Sequence, residues 1–295
     1  MSRIPLIIIV GPTASGKSAL AIKLAKKFNG EIVSADSRQV YRGMDIGTGK
    51  VTKQERRMVP HHLLDIASPR IGYPVSRFQK DAVRAIADIH RREHVPILAG
   101  GTPFWIDAVA YHMTLPRVQP NVSLRKKLAR HSASALFDML TKLDPVRART
   151  IDRHNPYRLI RAIEIVRSTK KPVPALLKSS PYDTVWIGIA VSKPELHRRI
   201  HTRLMKRMKQ GLIAEVKNLL KSGISQKRLI AMGLEYRYVT LYLQGKLTKN
   251  ELLQQLETAI RQYAKRQLTW WKRNEKIHWI TNIRQTEKVL RHFIR

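Results

Sequence analysis

The sequence predicts an α/β fold in which a parallel sheet is flanked by helices and interrupted by a helical insertion domain. Apolar runs of strand length alternate with amphipathic helical segments along most of the 295 residues. Glycine-rich loops follow two of these runs, where open parallel sheets bind ligands. A basic, helical stretch separates two predicted core strands. We therefore expect a core domain of residues 1–115 and 184–295 and an insertion domain of residues 116–183.

The first predicted strand, residues 6–10, is followed by a phosphate-binding motif and then by a helix that includes residues 19–25. The motif fits the pattern G-x-x-x-x-G-K-[ST] and consists of Gly11, Pro12, Thr13, Ala14, Ser15, Gly16, Lys17 and Ser18. In such a loop the backbone N–H groups and the helix start attract phosphate, the lysine reaches the terminal phosphates, and the hydroxyl can ligand magnesium. The motif thus predicts a P-loop NTPase-like, nucleotide-binding type of core with Mg²⁺ at Ser18. It leaves open which polyphosphate is bound.

Two more strand ends carry polar residues toward the same edge of the predicted sheet. Residues 31–35 end at Asp36, whose carboxylate could accept a proton, face a magnesium-bound water, or only cap the following turn. Residues 95–99 lead through two glycines to Thr102, whose hydroxyl could contact a ligand or stabilise a turn. The pair His61-His62 is predicted to lie on a structural strand, because adjacent strand side chains point to opposite faces.

The remaining elements follow from apolar periodicity. Helices are expected at residues 76–92, 123–131, 156–168, 194–211, 234–244 and 250–273, strands at 184–191 and 277–280, and a turn at 229–233. The helix at 194–211 carries Arg199, Arg203 and Arg207 in a row with four-residue spacing. One of them beside the phosphate loop would stabilise diphosphate charge, whereas a solvated face is the alternative. We expect the tryptophans near the end of the long last helix to be core residues.

The chain is strongly basic, with 56 Lys and Arg against 21 Asp and Glu and a net charge of +35. Basic and acidic residues number 17 and 9 in residues 1–115, 15 and 5 in residues 116–183, and 24 and 7 in residues 184–295. The excess grows away from the phosphate loop, which favours a nucleic acid partner over a generally basic proteome. The chain has no cysteine, no apolar run of membrane-spanning length and no space for a signal peptide before the first strand, so we expect a cytoplasmic protein without a membrane partner.

Taken in order, these motifs resemble the bacterial tRNA dimethylallyltransferases, also called tRNA isopentenyltransferases. The matching pieces are residues 11–18, Asp36-Ser37 with Tyr41, residues 44–48, residues 60–66, residues 100–102, Asn155-Pro156 with Arg158 and Arg161-Ala162, Gly211 with Glu215, and residues 264–267 with Trp270. The phosphate loop alone is common to many ATPases, but this ordered set is specific and spans nearly the whole chain. Phe104-Trp105 departs from the family's leucine-tyrosine pair, and Gly233-Leu234 departs from its glycine-tyrosine turn.

The resemblance implies transfer of a dimethylallyl group from dimethylallyl diphosphate to the exocyclic amine of the adenosine 3′-adjacent to the anticodon. The tRNAs would be those that read codons starting with U, and the products isopentenyladenosine and diphosphate. It implies that residues 11–18 bind the diphosphate and that the catalytic residues are Asp36, Thr102, Lys17 and Arg203. It further implies that the tRNA anticodon stem-loop is contacted by Asp36, Ser37, Arg38, Gln39, Thr102, Arg125, Tyr157, Arg158, Leu159, Ile160 and Arg161. We expect a monomer.

Three other functions remain open from the residues. A P-loop kinase for small molecules would share the phosphate loop, but it needs no large positive charge. An adenylate isopentenyltransferase acting on free AMP or ATP would share the chemistry, but the basic insertion argues against it. A non-enzymatic RNA-binding protein would not need the intact set of Lys17, Ser18, Asp36 and Thr102.

Overall fold

The computed structural model describes residues 3–177, 179–291 and 293. The chain forms two compact units, one of Met1–His112 with Ser180–Arg295 and one of Met113–Ser179. The second unit lies within a few residues of the predicted insertion. It ends earlier than residue 183 because the next core strand already begins at Tyr182.

The first unit is built on one sheet of six parallel strands, which confirms the predicted α/β class. The strands are β1 Ile4–Val10, β2 Gly30–Ser34, β3 His61–His62, β4 Val95–Ala99, β5 Tyr182–Ile189 and β6 Ile277–Ile280. Their order across the sheet is β3-β2-β4-β1-β5-β6. The carboxyl ends of β1, β2 and β4 are therefore neighbours, and the loops that leave them meet at one edge.

Fourteen helices are found in the part of the chain that the structure describes. They are α1 Lys17–Lys27, α2 Lys53–Met58, α3 Val75–Arg91, α4 Pro103–Ala110, α5 Val122–Leu128, α6 Ala133–Leu143, α7 Pro145–Thr150, α8 Pro156–Thr169, α9 Lys193–Lys209, α10 Leu212–Lys221, α11 Gln226–Met232, α12 Leu234–Leu243, α13 Lys249–Trp271 and α14 Ile283–Arg291. Helices α5 to α8 form the second unit, and the others belong to the first.

Helices cover both faces of the sheet, which is why its strands are continuous apolar runs rather than alternating ones. Leu6 and Ile8 of β1 point into a large core with residues of α3, α4, α9, α12 and α13. Ile7 points to the opposite face, into a smaller core with residues of α1 and α14. The side chains of all three residues are fully buried. Parallel strands buried on both faces expose their chemistry only at their ends, so the sheet fixes where a site can form.

The predicted turn at residues 229–233 is wrong, because most of this segment belongs to helix α11. The Ser225 side chain accepts a hydrogen bond from the Arg228 backbone N–H and caps the helix start. Leu229 and Met232 are buried, and the helix ends at Gly233, whose φ of +79° suits a glycine. The sequence pattern was too short to show this helix, since only two of its seven residues are buried.

The second unit has its own small hydrophobic core. Besides the two predicted basic helices, which are α5 and α8, it contains α6 and α7. The buried apolar residues come from all four helices and are Leu128, Leu136, Leu140, Ala148, Leu159, Ala162 and Ile163. Asp144 caps α7 by accepting a hydrogen bond from the Arg147 N–H, and its other oxygen accepts one from the Val173 N–H.

Across the described ranges of the chain, none of the helices is both long and apolar enough to cross a membrane.

Candidate active site

A cavity of about 350 Å³ lies at the carboxyl ends of β1, β2 and β4. Its wall brings together residues from the phosphate loop, from the end of β2, and from helices α9 and α13. The predicted site residues on this wall are Thr13, Ala14, Gly16, Lys17, Ser18, Asp36, Gln39 and Arg203. Gly11, Pro12 and Ser15 complete the loop behind it and are buried. Residues separated by nearly two hundred positions in the sequence thus converge on one cavity, as ligand binding in an open parallel sheet requires.

The phosphate loop is folded as its motif predicts. Gly16 is the N-cap of α1 with a φ of +101°, a conformation that residues with a side chain rarely adopt. The Lys17 ammonium group folds back over the loop and donates a hydrogen bond to the Pro12 carbonyl at 2.8 Å. The backbone N–H groups at the start of α1 and the Lys17 ammonium group therefore lie on the same side of the loop. This arrangement is suited to binding an anion.

The cavity concentrates positive charge away from water. Burial, together with the nearby Arg203 and against the opposite effect of Asp36, lowers the pKa of Lys17 to about 7. Burial, together with Arg207 and against Glu235 and Asp36, lowers the pKa of Arg203 to about 10. When two cations are buried side by side, desolvation and mutual repulsion lower the pKa of both groups. A bound anion would offset both effects and keep the groups charged. The electrostatics therefore match a bound polyphosphate.

The structure distinguishes the three arginines of the row on α9. Arg203 donates to the Thr13 hydroxyl and reaches the cavity, whereas Arg199 donates to the Ser15 carbonyl at 3.1 Å. Arg207 is almost fully buried and pairs with Glu235 at 2.5 Å, so its role is structural. Arg203 is thus the arginine of this row that reaches the cavity.

Asp36 caps the turn after β2 through one of its two carboxylate oxygens. Its Oδ1 accepts a hydrogen bond from the Arg38 N–H at 2.9 Å and a longer one from the Gln39 N–H at 3.4 Å, so it caps the turn. Oδ2 receives no hydrogen bond from any described residue, and the side chain lies on the cavity wall. One carboxylate oxygen therefore anchors the group while the other stays available to a ligand.

Thr102 lies next to this carboxylate rather than on the cavity wall. Its hydroxyl accepts a hydrogen bond from the Ser37 N–H at 3.0 Å and so joins the loop after β4 to the loop after β2. Arg38 donates from Nε to the Met232 carbonyl at 3.0 Å, which ties the second of these loops to α11. Both contacts hold the backbone around Asp36 in place.

The residues predicted to bind RNA in the second unit differ in how exposed their side chains are and in whether these already form ion pairs. Tyr157 is 84% exposed. The side chain of Arg158 is exposed and makes no contact among the described residues. Arg125 and Arg161 are half-exposed and share the buried carboxylate of Glu164, whose pKa they hold at about 2 against the effect of its burial. These two arginines are thereby oriented, but their charge is partly neutralised.

Leu159 is also a predicted RNA-contacting position, but its side chain does not reach the surface. That side chain is fully buried in the core of the second unit, because it lies on the apolar stripe of α8 with Ile163. Ile160 is half-buried and packs against the same core. Arginines and aliphatic residues are interspersed along this helix, and the packing shows which of them reach the surface.

The prediction that the two histidines lie on a strand is confirmed, and His61 also lines the cavity. Both lie on β3, and their rings turn to different partners. His61 bonds through Nδ1 to the Val59 carbonyl at 2.8 Å, and burial lowers its pKa. His62 bonds through Nε2 to Glu31 at 2.6 Å. The tryptophans are core residues as expected: Trp271 is fully buried, and Trp270 donates to Asp107 at 2.9 Å.

Gln267 and Glu215 belong to motifs that match the family, but the sequence alone indicated no role for either residue in the site. Gln267 on α13 is only 2% exposed and lines the cavity, next to Tyr263 one turn earlier. A signal existed, since Gln267 occupies a position in the apolar stripe formed by Leu256, Ile260, Ala264 and Trp271. A polar residue at a core position needs hydrogen-bond partners. The sequence could have indicated that Gln267 has such partners, but not which ones.

The loop of residues 43–50 is held by another missed residue, Glu215. Its carboxylate accepts hydrogen bonds from the N–H groups of Asp45, Ile46 and Gly47 at 2.7–3.0 Å, and from the Tyr236 hydroxyl at 2.9 Å. Thr48 and Gly49 of the same loop form part of the cavity wall. Glu215 thus shapes the cavity without lining it.

Comparison with known proteins gives matches over nearly the whole chain. Residues 39–274 match the family described as IPP transferase, and residues 4–72 match the family described as isopentenyl transferase. A tRNA dimethylallyltransferase of Thermomicrobium roseum is 42% identical over 283 residues, which cover 94% of this chain and 86% of that protein.

Two solved structures are similar to this chain. The tRNA isopentenylpyrophosphate transferase of Bacillus halodurans has a TM-score of 0.75 at 36% identity, covering 98% of this chain and 96% of that one. A eukaryotic dimethylallyltransferase acting on tRNA has a TM-score of 0.81 at 25% identity, covering 98% of this chain and 78% of that one.

Proposed function

Because this chain belongs to the IPP transferase family, we propose that it transfers a dimethylallyl group from dimethylallyl diphosphate to the exocyclic amine of an adenosine in tRNA. The adenosine is the one 3′-adjacent to the anticodon in tRNAs that read codons starting with U. The products are isopentenyladenosine and diphosphate. The observation that carries the proposal is the single cavity in which the phosphate loop, Arg203 and the free oxygen of Asp36 meet.

The chemistry requires stabilisation of the leaving group. The bond between the allylic carbon and the diphosphate oxygen breaks while the amine nitrogen forms its bond to that carbon, so negative charge develops on the diphosphate and positive charge on the allyl group. Lys17, Arg203 and the N–H groups at the start of α1 are placed to stabilise the diphosphate charge. Their low solvation in the free protein makes this stabilisation stronger than it would be in water.

Asp36 acts on the nucleophile. The exocyclic amine of adenine is a weak nucleophile, and it loses one proton when it becomes a secondary amine. Oδ2 of Asp36 is free to accept a hydrogen bond from the amine and then the proton. The hydrogen bonds to Oδ1 keep the carboxylate in one orientation during this step. Since a stacked base cannot reach such a cavity, the adenosine must leave the stack of the anticodon loop.

The oxygen chemistry of the loop fits a magnesium ion, which we include in the proposal. Mg²⁺ at phosphate sites takes one or two oxygens from the protein and the rest from phosphate and water. The Ser18 hydroxyl is exposed on the cavity wall beside Lys17 and is such an oxygen. When bound there, the ion would neutralise diphosphate charge.

The charge distribution supports the RNA substrate. The net charge of +35 comes mostly from residues beyond the phosphate loop, and a duplex stem is held largely through its phosphates and its shape. Tyr157, Arg158 and the Arg125–Arg161 pair on Glu164 provide such a surface in the second unit. We propose that the protein works as a monomer in the cytoplasm, where its substrate is found.

Neither small-molecule alternative is favoured. Relatives that match over 94% or more of the chain are named as tRNA dimethylallyltransferases, not as kinases or as adenylate isopentenyltransferases. The alternatives also leave the strongly basic second unit without a role.

The deciding experiment is mass analysis of nucleosides from an anticodon stem-loop incubated with the protein, magnesium and dimethylallyl diphosphate. We expect isopentenyladenosine at the position 3′ of the anticodon and an equal amount of diphosphate. Parallel reactions contain free AMP or ATP as the acceptor. Prenylation of AMP or ATP without prenylation of the stem-loop would refute the proposal, and so would phosphoryl transfer from ATP to a small molecule.

A further inference from the structure

We propose that Gln267 is a positioning residue that fixes the phosphate loop relative to the loop after β4, so that the two substrates are held at reacting distance. This inference rests on the proposed function. Gln267 does not belong to the predicted catalytic set, and it would act through two backbone groups rather than through the substrates.

The contacts of Gln267 join three distant segments of the chain. Its side-chain carbonyl accepts a hydrogen bond from the Thr13 N–H at 2.7 Å, and its side-chain N–H donates to the Gly101 carbonyl at 2.5 Å. Thr13 lies in the phosphate loop, Gly101 follows β4, and Gln267 belongs to α13. A single amide therefore bridges the ends of two strands from a helix 254 residues away from Thr13.

The position requires an amide. One partner is a donor and the other an acceptor, and only a side chain with both functions satisfies them together. The Gly101 carbonyl also accepts from the Tyr263 hydroxyl at 3.1 Å, so Tyr263 and Gln267 on successive turns of α13 hold the same atom. Burial of the amide makes both partners costly to leave unpaired.

The backbone at Gly101 shows how closely the amide approaches. A β-carbon added to Gly101 would lie 2.7 Å from Nε2 of Gln267, closer than such atoms can come. The glycine before Thr102 therefore gives α13 access to the carbonyl. The need for a glycine at this position follows from the same close approach of the Gln267 amide.

The two hydrogen bonds of Gln267 reach the segments that would hold the two substrates. Thr13 is part of the diphosphate-binding loop, and its hydroxyl also accepts from Arg203. Gly101 precedes Thr102, whose hydroxyl holds the backbone of Ser37 next to Asp36. Gln267 thus connects the leaving-group side to the side that receives the amine. Reaction rates fall steeply with small errors in the relative placement of reactants, by about 10²-fold for a misplacement of about 1 Å.

The test is the variant Gln267→Met, which keeps the length of the side chain and removes both hydrogen bonds. We expect kcat for stem-loop prenylation to fall about 10- to 100-fold, while the separately measured dissociation constants for dimethylallyl diphosphate and for the stem-loop change less than about 3-fold. The matched control is Gln262→Met, an exposed glutamine on the same helix, for which we expect wild-type kinetics. A kcat of Gln267→Met within 2-fold of wild type, or a loss confined to KM, would overturn the inference.

Two milder variants decide the matter if Gln267→Met does not fold, as judged by circular dichroism. Gln267→Glu keeps the acceptor for Thr13 and loses the donor to Gly101, and we expect kcat at least 5-fold lower. Tyr263→Phe removes only the second donor to Gly101, and we expect a loss of about 2- to 5-fold. Wild-type kcat in both would refute the positioning role. The proposed function fails separately, if the wild-type protein itself does not prenylate the stem-loop.

Discussion

The lowered pKa of Lys17 predicts that binding of dimethylallyl diphosphate takes up a proton at mildly alkaline pH. With a pKa of about 7 in the free protein, Lys17 is about nine-tenths neutral at pH 8 and about nine-tenths charged at pH 6. A bound diphosphate favours the charged form, so the pKa rises again toward the ordinary value of 10.5. We therefore expect Lys17 to take up about 0.9 proton per bound diphosphate at pH 8 and about 0.1 at pH 6. For the fully ionised ligand, this protonation makes the apparent affinity at pH 8 about tenfold lower than at pH 6, or about 1.4 kcal/mol.

The assay is isothermal titration calorimetry without RNA, in two buffers that differ in ionisation enthalpy. At pH 8 the ligand is already fully ionised, because the last phosphate ionisation lies near pH 6. The difference between the buffers then reports the proton on the protein. Lys17→Arg is the control, since arginine stays charged and the proton uptake at pH 8 should vanish. If the wild-type heat at pH 8 does not depend on the buffer, the argument that desolvation depresses this lysine is wrong.

Three further predictions test other parts of the structure. Asp36→Ala should lower turnover by about two to four orders of magnitude in single-turnover assays with stem-loop binding nearly intact; loss of RNA binding with turnover preserved would contradict the assigned role. Arg158→Ala should reduce the slope of log K against log salt concentration for stem-loop binding by about one. Arg161→Ala should reduce this slope less, because a buried glutamate already pairs with Arg161; equal slopes for the two variants would contradict the structure. Arg207→Met should lower the free energy of unfolding in urea by about 3–5 kcal/mol, and adding Glu235→Leu should recover most of it; an additive second loss would argue against the buried pair.

Much of the fold was accessible from the sequence because its signals are local. The strands at residues 95–99 and 277–280 were predicted with the bounds that the structure has, and the core helices predicted at residues 76–92, 194–211, 234–244 and 250–273 lie within two residues of their observed ends. Strands buried on both faces leave uninterrupted apolar runs, and turn residues bound them. Helices α2, α10 and α14 were not predicted, and α11 was predicted as a turn because it is short and has little periodicity.

The candidate site was accessible where its parts are adjacent in the chain. The phosphate loop needs a strand end, two glycines, a lysine and a hydroxyl within eight residues, and all of these can be read in order. Asp36 and Thr102 followed from a rule of topology, because parallel strands end at the same edge. The functional alternatives for Asp36 could not be separated from the sequence, since capping and catalysis would use the same carboxylate; the structure shows that Oδ1 caps the turn, while Oδ2 accepts no hydrogen bond from a described residue.

The sequence by itself determined the strands of the sheet, the phosphate loop and the excess of positive charge. The strands and the loop are patterns of neighbouring residues, and the charge follows from counting residues. Only the tertiary structure decided that Arg203, and not Arg207, reaches the cavity, and that Gln267 bridges two loops. Helical periodicity shows which residues share a face, but not which neighbour that face meets. The partner of a buried polar group lies wherever the packed helices bring a matching donor or acceptor, and for Gln267 that partner is 254 residues away.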